Sequence, residues 1–89
     1  MLVGKINQNY KIVKCVKLNT VEAIVLAERN DHEAYVTWLA CDPNLTGVFA
    51  YYHGHYYYNW FDAIEDFWLR VKHEVDFELS RIAEGKRFD

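Results

Sequence analysis

The sequence predicts an α+β fold: a four-stranded antiparallel β-meander followed by one long C-terminal amphipathic helix packed across one face, in the order ββββα. Three observations predict it. Before residue 58, apolar residues recur with a period near two in four separate segments, the signature of half-buried or buried strands. Short stretches rich in Asn, Asp, Pro and Gly separate those segments, which favours hairpins over long crossovers. At Asn59 the period changes to 3.6 and holds towards the end of the chain. With 89 residues there is material for a single domain with one core, residues 1–89. Its 17% aromatic content lets a small core bury a large area per residue.

Residues 1–9 contain Gly4, Asn7 and Asn9 and read as a lead-in to the sheet. YKIVKCVKL at 10–18 is rich in β-branched residues and forms the first strand, with Tyr10, Ile12, Val16 and Leu18 on one face and Lys14 as the exception. Asn19-Thr20 links it to an antiparallel partner at 21–29, where Val21, Ala23, Val25 and Ala27 alternate with Glu22, Ile24, Leu26 and Glu28. After the polar turn at 30–33, residues 35–42 carry large apolar groups on both faces, as a central strand does. Asp42-Pro43 with Gly47 is a turn leading into the aromatic strand 48–57. Strict alternation there assigns Val48, Ala50, Tyr52, Gly54, Tyr56 and Tyr58 to the core, and Phe49, Tyr51, His53, His55 and Tyr57 outward.

Asn59 is the expected helix N-cap, because its side-chain oxygen can accept from a free amide of the first turn, and Asp62 sits at the positive end of the helix dipole. Trp60, Phe61, Ile64, Phe67, Trp68, Val71, Val75, Leu79 and Ile82 fall on one arc and form the expected core stripe. Asp66, Arg70 and Glu74, at four-residue spacing, read as a charge ladder on the solvent side. Gly85, followed by Lys86 and Arg87, marks the expected end near residue 84.

YVTW at 35–38, GHYYYN at 54–59 and DAIEDFWLR at 62–70 together resemble a group of short, uncharacterised bacterial proteins, some of them carried on mobile elements. The resemblance implies a bacterial setting. It carries no activity over to particular residues.

Composition narrows the function classes. A net charge of −3 lacks the basic excess of a phosphate-backbone binder, which weighs against nucleic acid as a partner. Lys5, Lys11, Lys14 and Lys17 do make the first twenty residues basic, which suits an edge strand that resists aggregation. Stacking of exposed tyrosines on single-stranded nucleic acid is the weaker alternative. Cys15 and Cys41 are too few for a disulfide scaffold and lie in strand patterns, where small buried thiols are common. With no signal peptide and no membrane-length apolar run, a cytoplasmic protein is expected.

His53-Gly54-His55 is the sharpest chemical motif, since two imidazoles on one strand face can meet one metal. A third ligand would have to come from His32, His73, Asp31 or Asp42, and nothing in the sequence places any of them near. Surface histidines beside tyrosines are the plainer reading, so neither a metal nor a cofactor is expected, with a metal-binding protein or small enzyme built on His53 and His55 as the alternative. No nucleophile motif or phosphate loop is present, and no catalytic residue is assigned.

Leu69 and Phe77 fall outside the helix core arc. With Tyr51, His53, His55 and Tyr57 they form the candidate interaction surface, because aromatic anchors are enriched in interface cores. The leading expectation is therefore a small non-enzymatic protein-binding module of unknown partner, an accessory or inhibitor protein from a mobile element. A helix longer than the strands should also overhang the sheet, which suggests a homodimer through Phe77, Leu79 and Ile82 unless Leu2 and Val3 fold back over that end.

Overall fold

The computed structural model describes residues 2–87, with side chains described as far as Phe77. Its elements are β1 (Ile6–Asn7), β2 (Tyr10–Lys17), β3 (Glu22–Arg29), β4 (Tyr35–Cys41), β5 (Ala50–Tyr57) and α1 (Trp60–Arg87). All neighbouring strands are antiparallel and their order in the sheet is their order in the chain. The lead-in thus supplies a fifth, two-residue strand to the expected four. Gln8 and Asn9 adopt left-handed conformations (φ 51° and 69°) between the paired residues Asn7 and Tyr10, which is the backbone twist a tight hairpin needs.

Short polar side chains close the other turns. Asn19 Oδ1 accepts from the Val21 and Glu22 amides at 2.9 and 2.8 Å. Asp42 accepts from the amides of Thr46 and Gly47 and from the Thr46 hydroxyl. Burial opposes ionisation of Asp42, but those donors outweigh it and hold the carboxyl below its ordinary range.

The sheet is buried on both faces. On one, Ile12, Val25, Ala27, Val36, Trp38 and Ala40 cluster with Leu2 from the lead-in. On the other, Ile24 and Leu26 meet Ala63 and Phe67 of α1, flanked by Val16, Leu39, Tyr57, Ile64 and Val71. This explains why β3 and β4 are nearly continuous apolar runs. Leu2 is committed to the face away from α1, so it does not fold back over the helix end.

Two β-bulges correct the face assignments. In β2 the register skips Val13, so Tyr10 and Ile12 face away from α1, whereas Lys14, Val16 and Leu18 face towards it. The single exception at Lys14 was the trace of that skip. In β5, Thr37 and Leu39 pair with His55 and Tyr52, leaving both His53 and Gly54 opposite Trp38. His53 takes a left-handed conformation (φ 54°) to make the extra step. Phe49 and Tyr51, before the bulge, pack away from α1; Tyr57, after it, packs against α1. Strict alternation along 48–57 therefore fails: Val48, Tyr52, Tyr56 and Tyr58 are exposed, and Phe49, Tyr51 and Tyr57 are half-buried.

Gly54 is required by packing. A Cβ there would lie 2.9 Å from Trp38 Nε1 and 3.0 Å from the Tyr56 ring.

The helix begins as expected, with Asn59 Oδ1 accepting from the Phe61 amide at 2.7 Å. Its buried stripe is rotated from the expected one. Ala63 and Phe67 are fully buried, whereas Phe61 is 77% exposed and Trp68 47%. The rotation brings Asp66 and Arg70 to the sheet side, where β4 and β5 offer them partners. The helix also continues through Gly85 to Arg87, since a glycine permits a cap without imposing one. At 28 residues it is roughly 42 Å long, against roughly 27 Å for an eight-residue strand, so its C-terminal part overhangs the sheet.

Phe67→Ala should cost about 3–5 kcal/mol in a denaturant titration, as truncation of a buried aromatic does. Trp68→Ala, at a half-exposed position beside the Lys14 ammonium, should cost clearly less. Equal costs would mean that the helix is rotated differently.

Candidate functional site

β5 is the last strand of the sheet, and among the described residues its outer edge pairs with no further strand. Beside it, where β4, β5 and α1 meet, the fold assembles a polar cluster. Thr37 interrupts the apolar run of β4 and has no exposed surface. Its hydroxyl donates to Asp66 Oδ2 at 2.5 Å. Arg70, one turn further along α1, places Nη1 3.0 Å from both the carbonyl and the hydroxyl oxygen of Thr37, and donates to the His53 carbonyl at 2.8 Å. His55 Nδ1 lies 3.1 Å from Asp66 Oδ2.

Burial lowers the Arg70 pKa from its ordinary value, and the Asp66, Tyr57 and Glu74 charges partly restore it. Burial raises the Tyr57 hydroxyl above the ordinary tyrosine range, and the nearby Asp66 carboxylate raises it further. The cluster is thus a carboxylate and a guanidinium bridged by one hydroxyl, with the guanidinium also donating to two backbone carbonyls. Because Thr37 is wholly enclosed, its hydroxyl cannot meet a substrate. The arrangement holds β4, β5 and α1 in register.

The residues of the expected surface do not form one patch. Tyr51 faces away from α1 with its ring 5.3 Å from that of Trp38, and burial raises its hydroxyl. His53 occupies the bulge, and its carbonyl is taken by Arg70. His55 and Tyr57 lie on the helix side. Leu69 is exposed and lines a shallow cleft of 240 Å³ with Tyr57, Asp62, Glu65 and Asp66. Phe77 is exposed further along α1, while Leu79 and Ile82 fall outside the described side chains.

The two histidines also do not share a face, because the bulge lies between Tyr52 and His55. Of the four other ligands considered, three are engaged elsewhere: His32 Nδ1 is 2.8 Å from Glu28, Asp31 pairs with Arg29, and Asp42 closes its loop. Among the described residues no group of three or more His, Cys, Asp or Glu could hold a metal. The supposed solvent-side ladder of Asp66, Arg70 and Glu74 is likewise corrected, since its first two members face the sheet.

Sequence reasoning missed Thr37, Asp66 and Arg70 as a unit. A signal was present: a lone hydroxyl inside an apolar central strand needs a polar partner, and Asp66 and Arg70 flank the buried Phe67. It also missed the exposed ring set of Tyr52, Tyr56, Tyr58 and Phe61 around β5 and the start of α1. No helix of the described residues is long and apolar enough to cross a membrane. No family model, curated protein or solved structure matches the chain.

Thr37→Val keeps the shape but leaves a carboxylate and a guanidinium each short of one partner. It should cost about 1–3 kcal/mol by denaturant titration, and in a cycle with Asp66→Asn the two losses should be strongly non-additive. Additive losses would mean that the two side chains act independently.

Proposed function

We propose that this protein is a non-enzymatic protein-binding module that takes up an extended segment of its partner along the free edge of β5. The observation that carries this reading is that the aromatic strand is an edge strand whose outer side, among the described residues, pairs with no further strand, with the cleft of Leu69 and Tyr57 beside it. Strand addition to such an edge gains affinity from main-chain hydrogen bonds and specificity from pockets for alternate side chains. The bulge at His53 breaks the edge, so the stretch from His55 to Tyr57 is the natural docking length. Tyr58, 85% exposed, stands at its end as an aromatic anchor.

Asp62 and Glu65 in the adjoining cleft favour a partner segment with a basic or hydroxyl-bearing side chain and disfavour phosphate-bearing ligands. This weighs against the nucleic-acid alternative. An accessory or inhibitor protein from a bacterial mobile element is the role we infer for such a module.

Selection from a displayed random-peptide library against the immobilised protein tests the reading. Enriched peptides should be basic and extended, and Tyr56→Pro, which removes a β5 amide, or Glu65→Lys should weaken them by about tenfold or more, a loss near 1.4 kcal/mol. Failure to enrich any peptide, or enrichment indifferent to both substitutions, would reject it.

A further inference from the structure

The face of the sheet away from α1 contains a hollow of 410 Å³ that the β5 edge does not use. Its walls come from three parts of the chain. The lead-in turns at Gly4 (φ 95°), whose amide donates to the Ile12 carbonyl, and so sets Leu2 and Val3 against the sheet. Phe49 closes the opposite side, and Cys15 and Ala23 form the floor. The hollow exists because these floor residues are small: Cys15 pairs with Val25 and Ala23 with Lys17, so no large side chain rises between Leu2 and Phe49.

Protein interiors rarely leave voids much larger than a water molecule, and a water takes up about 30 Å³ of liquid. A hollow of 410 Å³ instead falls within the roughly 300–1,000 Å³ of small-molecule sites. Among the described residues its rim carries two charged side chains, Lys17 and Glu22. Lys17 shares the face of Cys15 and makes no ion pair among the described residues. The other charged rim residue, Glu22, is tied to the Asn19 side-chain amide at 2.9 Å.

From this geometry we propose a binding site for a small apolar carboxylate, with the hydrocarbon or ring in the hollow and the carboxylate at the Lys17 ammonium. An exposed lysine suits that role, because the head group pairs with it without leaving water entirely. The Cys15 thiol is wall and not nucleophile: burial raises its pKa, and nearby positive charge only partly opposes that. Binding is therefore reversible and involves no covalent step.

The test uses decanoate as probe and decanol as its uncharged counterpart, by calorimetry on the full chain. Decanoate should bind in the micromolar range, and Lys17→Gln should weaken it by about tenfold while leaving decanol unchanged. Val21→Phe, a filling change at the half-exposed mouth that the fold should tolerate, should weaken both probes. As an independent readout in a Cys41→Ser background, decanoate should slow alkylation of Cys15 in proportion to occupancy. No heat and no protection of Cys15 at ~1 mM decanoate, or binding indifferent to Val21→Phe, would overturn the site.

Discussion

The contact on which the rest of this structure depends is the grip of Arg70 on the backbone of two neighbouring strands. One nitrogen of its guanidinium reaches the Thr37 carbonyl of β4 and the His53 carbonyl of β5. The second of those carbonyls belongs to the bulge, where the ladder between β4 and β5 is interrupted and a carbonyl would otherwise lack a regular partner. A fixed, planar, permanently charged donor suits that position better than a flexible ammonium would. Asp66 balances the charge, and Thr37 links the two by donating to one and accepting from the other.

The consequences run outward from that point. Because the bulge inserts one residue, β5 gives Tyr51 to one core, beside Phe49 just ahead of it, and Tyr57 to the other, so a single edge strand helps close both faces of the sheet. The inserted step also puts Gly54 beneath the Trp38 indole and the Tyr56 ring, where no side chain could fit. Holding the polar pair towards the sheet turns Phe61 and Trp68 towards solvent. The exposure of these two helix rings is thus a by-product of how the helix is anchored. A bulge also protects an edge strand from indiscriminate pairing.

Much of this was legible in the sequence and some was not, for identifiable reasons. Strand order, antiparallel pairing and the helix start followed from period, turn chemistry and the Asn59 cap, all of which are local. The faces of β5 were not legible, because a bulge shifts side-chain parity by one and leaves no fixed sequence mark. Only the His53-Gly54 pair, with a glycine under two rings, hinted at it. The helix rotation failed for a related reason: Trp60, Phe61, Trp68 and Val75 satisfied the apolar arc, but tertiary polar partners for Asp66 and Arg70 decided which side met the sheet. The His-x-His motif assumed the same unbroken alternation and fell with it.

The central claim, that Arg70 pins the bulge and thereby β5, is tested most directly by residue-resolved amide hydrogen exchange on Arg70→Lys beside the wild type. The lysine keeps the charge but cannot reproduce the two-strand grip. The account predicts that amides of residues 50–57 lose protection by about tenfold or more while those in the centre of β3 keep theirs. Unchanged exchange along β5, or an equal loss across the whole sheet, would contradict it.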